Sequence, residues 1–187
     1  MPTMSNEKPH RIEKSIEVDV PVSTAYNQWT QFEEFPEFME GVEEVRQLDS
    51  KRLHWVAKVA GQRKEWDAEI YDQVPDKIIA WRSTSGTLNH GSVRFEPVGV
   101  DKCRITLLMT YAPEGWVEKA ADALGILSAR VQGDLRRFKE FIESRGHETG
   151  AWRGTVSEGE VGGRPRRGPR PDPGQQRGHG KELPPEL

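Results

Sequence analysis

Four stretches of the chain each put a tryptophan or tyrosine on the same side of an alternating pattern: Leu53-Trp55-Ala57-Val59, Trp66-Ala68-Ile70, Ile79-Trp81-Ser83 and Ile105-Leu107-Met109-Tyr111. Side chains alternate between the two faces of a strand, so the four runs together furnish one sheet face carrying three tryptophans and a tyrosine. The alternate residues, among them His54, Lys58, Glu65, Asp67, Glu69, Arg82, Arg104, Thr106 and Thr110, furnish a wetter face. A face this aromatic needs a cover, and a long helical pattern follows the last run. The expectation is an α+β fold in which a curved antiparallel sheet wraps a helix. Large side chains on the concave side then either fill a core or line a pocket.

The rest of the chain divides around that unit. Residues 147–187 hold 9 of the 18 glycines and 6 of the 13 prolines, too little periodic apolar surface to offset the entropy of ordering. The expected division is a flexible N-terminus over 1–10, a ligand-binding domain over 11–146 and a disordered Gly/Pro/Arg-rich tail over 147–187. Over 1–146, 20 Lys and Arg stand against 24 Asp and Glu, a balance that argues against a nucleic-acid groove on the domain. Cys103 is the single cysteine, so no internal disulfide can form and a reducing, cytoplasmic setting is expected. No His/Asp/Glu grouping has metal-ligand spacing, and neither a metal nor another cofactor is expected. No apolar run approaches the roughly 18 residues needed to span a bilayer.

Along the chain, Ile16–Val20 alternates as a first strand and Pro21 ends it. Ala25, Tyr26, Trp29 and Phe32 form a helical stripe, and a second short helix over Glu33–Glu40 presents Phe35, Phe38 and Met39 before Gly41. Six strands follow, at roughly Val42–Leu48, Arg52–Ala60, Arg63–Gln73, Lys77–Thr84, Leu88–Pro97 and Lys102–Ala112, separated by turn signals. From Trp116 to Ser144 the period becomes helical through Val117, Ala120, Leu124, Leu127, Val131, Leu135, Phe138 and Ile142. Glu118, Lys119, Asp122, Arg130, Asp134, Arg137 and Lys139 for the most part read as avoiding that stripe, and Gly125 and Gly133 read as candidate bends.

This order resembles the helix-grip fold of the START-like (SRPBCC) superfamily: about seven strands around a long C-terminal helix, with two short helices after the first strand. The blocks Ala25-Tyr26-x-x-Trp29, Phe32-Glu33-Glu34-Phe35-Pro36-Glu37-Phe38-Met39, Gly41-Val42-Glu43-Glu44-Val45, Trp66-Asp67-Ala68-Glu69-Ile70, Ala80-Trp81-Arg82-Ser83, Gly91-Ser92-Val93-Arg94-Phe95 and Asp134-Leu135-Arg136-Arg137-Phe138-Lys139 are similar to its polyketide cyclase/dehydrase and coenzyme-Q-binding branch. The resemblance covers residues 12 to 145. It implies a cavity between sheet and helix, in a superfamily of lipid carriers, cyclases, quinone binders and hormone receptors.

The expected ligand-binding residues are Trp55, Trp66, Trp81, Ser83, Asn89, Met109 and Tyr111 on the sheet, Phe35 and Met39 from the short helix, and Leu124, Leu127 and Val131 from the long one. Catalysis of cyclisation needs a proton donor or acceptor and a group to hold the enolate. Tyr111 is the candidate donor and Ser83 or Asn89 the carbonyl holder, with Tyr26 or Thr30 further inward polar groups. His54 reads as outward and His90 as near the cavity mouth. Gly91 permits a close approach or a bulge. The apolar block Trp116–Leu127 reads as a lid, a membrane-touching edge or plain helix packing. Arg164, Arg166, Arg167 and Arg170 among prolines suit a weak anionic or protein partner. Three functions follow: binding of a hydrophobic lipid, quinone or polyketide-like molecule; a polyketide cyclase/dehydratase; or an adaptor with a side-chain-filled interior that acts through its tail or surface.

Overall fold

The computed structural model describes residues 10–59, 61–86, 88–112, 120–158 and 160–162, without the side chains of 88, 111–112 and 120–123. The chain runs β1 (His10–Val18), α1 (Val22–Trp29), a 3-10 helix (Phe32–Glu37), β2 (Val42–Gln47), β3 (Arg52–Val59), β4 (Gln62–Val74), β5 (Ile78–Ser85), β6 (Leu88–Gly99), β7 (Lys102–Ala112), α2 (Ala120–Arg145), β8 (Thr155–Ser157) and β9 (Glu160–Gly162). The sheet order is β1-β7-β6-β5-β4-β3-β2, with the β8–β9 hairpin added on β4. This is the expected helix-grip arrangement, and strands β2 to β7 lie within a residue or two of their expected bounds.

The first strand differs. It starts at His10 and ends at Val18, because its whole length pairs with β7, from His10 opposite Tyr111 to Val18 opposite Cys103. Its polar first half, with only Ile12 apolar, masks that pairing in sequence. The expected flexible segment otherwise lies outside the described residues. Helix α2 is continuous through Gly125 and Gly133 and about 39 Å long at 1.5 Å per residue.

The main correction concerns the expected tail. The folded unit does not end at Gly146, because described residues between 147 and 162 pack back onto α1 and β4. Asn27 and Gln28 on α1 and Thr30 just after it are buried, and this segment supplies partners for all three. Asn27 Nδ2 donates to Glu148 Oε1 at 2.8 Å and Thr149 N to Gln28 Oε1 at 2.9 Å. Trp152 N donates to Thr30 Oγ1 at 3.0 Å, and Arg153 reaches both Asn27 Oδ1 and the Asp76 carboxylate. Val156 sits fully buried opposite Gln73. Buried polar groups need partners, and here two polar surfaces satisfy each other. The Arg-Pro residues 164–171 lie outside the described residues.

Beneath this strap the core is aromatic. Trp29 meets Phe138 at 4.9 Å and Phe95 at 6.1 Å between ring centres, and Phe38 meets Phe138 at 5.1 Å. Val18, Phe95, Ile105, Leu135 and Ile142 complete it.

Candidate functional site

Toward the N-terminal half of α2 the same interior is not filled. A cavity of about 150 Å³ lies between the helix, the 3-10 segment and strands β3 to β7, the order of space that accepts one aromatic ring. Its inner wall is Phe32, Phe35, Leu53, Ile70, Ile79 and Leu135, all deeply buried. The open end is bounded by Glu40, Gly41, Val42, Lys58, Val59, Lys64 and Arg130.

Strand register explains the wall. Trp55 pairs directly with Trp66, which puts both on one face, and their rings stack at 5.8 Å with planes 6° apart. Phe35 packs on Trp55 at 5.6 Å. On the next strand Trp81 lies opposite Gly91. A Cβ at Gly91 would fall 2.9 Å from Trp81 Cζ2 and 2.2 Å from Leu108 O, so only glycine lets the indole lie across the neighbouring strand. Trp81 Nε1 donates to Asn89 Oδ1 at 3.3 Å, and Asn89 N donates to Ser83 Oγ at 3.1 Å.

Phe35, Met39, Trp55, Trp66, Trp81, Asn89, Met109, Leu127 and Val131 therefore line the cavity together. Ser83 does not. It stands behind Asn89 and holds the β5–β6 hairpin. Leu124 packs against the core beside the cavity rather than on its wall. The Tyr111 side chain lies outside the described residues, although its backbone pairs with Asn89. Tyr26 and Thr30 belong to the filled end: the Tyr26 hydroxyl accepts from Gln73 Nε2 at 2.9 Å and Thr30 Oγ1 donates to Asn27 O. Burial pushes the Tyr26 phenol up to about 12, with the Gln73 hydrogen bond pulling the other way. His54 faces outward and bonds Asp67 at 2.7 Å. Of the expected lid block, 116–119 lie outside the described residues, and Ile126 is 59% exposed.

The expectation that Arg130 and Asp134 avoid the interior is corrected: both line the cavity. They lie three residues after Leu127 and Val131, hence on the flank of the same stripe. Asp134 Oδ1 accepts from Glu40 N at 3.0 Å and from Arg137 Nη2. Burial nevertheless holds its carboxyl above the usual carboxylate range. Arg137 Nε also donates to Phe38 O at 2.9 Å, and Arg130 Nη1 to Lys58 O at 2.6 Å. These contacts tie α2 to the loop and strand that frame the open end. Gly41 permits this at φ +84°, since a Cβ there would come within 2.8 Å of Arg130 Nη1 and 2.9 Å of Lys58 O. One buried donor, Trp55 Nε1, has no acceptor among the described residues.

Comparison with known proteins agrees with this architecture. The family model described as polyketide cyclase/dehydrase and lipid transport matches residues 18–140. An uncharacterized 17.2 kDa protein from the melC2-rnhH intergenic region of Streptomyces lincolnensis is 50% identical over 147 residues, 78% of this chain and 98% of that protein. A START superfamily protein from Mycobacterium smegmatis superposes with a TM-score of 0.63 at 14% identity, over 73% of this chain and 99% of its own. The Zhui aromatase/cyclase of a Streptomyces species gives 0.63 at 15% identity, over 78% and 100%. At those identities the two structures speak to the fold.

Proposed function

Since the chain belongs to the polyketide cyclase/dehydrase and lipid transport family, we propose that it binds a hydrophobic small molecule, a lipid, quinone or polyketide-like ring, in the cavity between sheet and α2. The observation that carries this reading is the unfilled apolar space walled by the Trp55–Trp66 stack, Trp81 and Met109. Flat indole faces suit fused or quinonoid rings. The unfilled space argues against an adaptor with a side-chain-filled interior.

A cyclase or dehydratase is the second reading, and Asp134 favours it. A carboxylate on the cavity wall, made more basic by burial, suits removal of a proton next to a carbonyl, and Tyr111 remains the proposed donor. In an enzyme, Asp134→Asn lowers turnover of an aromatic polyketide substrate by about 10²–10⁴; in a carrier it shifts the dissociation constant by less than about tenfold.

The test is native mass spectrometry of the purified full chain, followed by extraction of whatever it holds. The expected spectrum shows one adduct per chain, with an isoprenoid, quinone, fatty acid or polyketide in the extract. A clean apo mass that does not shift with a panel of such compounds overturns the binding reading.

A further inference from the structure

The open end of the cavity is basic within a domain whose overall balance is acidic. Two carboxylates lie on the cavity, Glu40 at the opening and Asp134 on the wall, and both are paired with Arg137, which is not on the wall: its Nη2 reaches Asp134 and its Nη1 lies 3.5 Å from Glu40 Oε2. Lys58 leans outward to Glu43 at 3.7 Å. Lys64 and Arg130 remain: among the described residues neither has a carboxylate within ion-pair distance, although Arg130 lies near enough to Asp134 to pull its pKa down.

Lys64 is not a surface residue by direction. It pairs with Ala57 across the β3–β4 ladder, and cross-strand partners share a face. Ala57 is buried on the cavity wall. Lys64 also has the parity of Trp66, Ala68 and Ile70, one step further toward the opening. It is thus an inward cation at the end of an apolar row. Arg130 is anchored rather than loose. One terminal nitrogen is bonded to Lys58 O, and Gly41 gives it room.

We infer that Lys64 and Arg130 form an anion-binding rim, so that the ligand is an amphiphile with its ring or chain in the cavity and a carboxylate or phosphate at the opening. Arginine and lysine both recognise these groups, the former in a planar fork and the latter as a point charge. The inference rests on the hydrophobic-ligand reading above.

The experiment uses the full chain and the uncharged fluorophore N-phenyl-naphthylamine, displaced by decanoate or by decanol at pH 8. The two competitors share a tail and differ in the anion. Wild type is expected to favour decanoate. The decanoate-to-decanol affinity ratio should fall about fivefold in Lys64→Met and in Arg130→Gln, as for a rim ion pair, persist in Lys64→Arg, and shrink with added salt. A ratio unmoved in Lys64→Met, or decanoate that fails to displace the fluorophore, overturns the rim while leaving the cavity. No fluorophore uptake by wild type overturns the cavity reading and the rim with it. A parallel arm sediments the protein with phosphatidylglycerol vesicles: capture that depends on Lys64 while the decanoate ratio stays fixed would mean that these cations meet a bilayer surface, against the inference.

Discussion

The two ends of the space between sheet and α2 are built from the same elements, yet one is solid and the other hollow. At the solid end α2 contributes Phe138 and Ile142, each fully buried, and Phe138 meets the rings of Trp29 and Phe38. At the hollow end it contributes Leu127 and the smaller Val131, and the space opposite Trp55, Trp66 and Trp81 stays open. The solid end is also strapped by residues 147–158 through buried polar pairs on α1. The lesson is that topology makes the chamber, while side-chain volume turn by turn along one helix decides which part becomes core and which becomes site.

Truncating one residue of α2 at each end, the fully buried Phe138 and the partly buried Leu127, separates the two most sharply. Phe138→Ala is expected to lose about 3–5 kcal/mol, whereas Leu127→Ala, already beside empty space, should lose about 1 kcal/mol, read from urea midpoints. Equal losses would break the comparison. Next comes the strap. A chain stopped after Gly146 exposes the surface covered by Val156 and Trp152 and should lose about 2–4 kcal/mol, seen as a lower midpoint in the same assay. No change would mean that the strap merely rests on α1.

A smaller effect is read from pH. Folded Tyr26 holds its proton to about 12, while an unfolded tyrosine releases it near 10. Its contribution is therefore complete below pH 10 and declines as pH rises toward 12, by about 1.4 kcal/mol per unit. Buried Cys103, raised to about 11, adds a loss of the same sign, so urea midpoints at pH 10 and 11 should fall more steeply than that in wild type, and Tyr26→Phe should lessen the slope without abolishing it. An identical slope in the variant would remove Tyr26 from the picture.

Much of this was legible from local pattern. Alternation through Trp55, Trp66, Trp81 and Met109 marked the concave face because period-two patterning survives wherever strands pair regularly. It failed where strands bulge: between Ile70 and Asp72 the ladder with β5 slips, so Gln73, which strict alternation would turn outward, is buried. The strap was hidden for a different reason. Asn27 and Gln28 look like an ordinary wet helix face, and their partners lie more than 120 residues away, beyond the reach of any periodicity. Arg130, Asp134 and Lys64 are an intermediate case. Their positions relative to Leu127, Val131 and Trp66 placed them at the cavity all along, but their charge argued for solvent. Charge at an apolar position is the signal that marks the rim.

The central claim, a hollow that takes a ligand, is tested most directly by filling it. Leu127→Trp adds an indole to the open space, and N-phenyl-naphthylamine titration reads what remains. The expected result is saturable one-to-one binding in wild type, a loss of at least tenfold in affinity in Leu127→Trp, and a thermal midpoint in that variant equal to or above wild type. Equal binding by both proteins, or no binding by wild type, would contradict the claim.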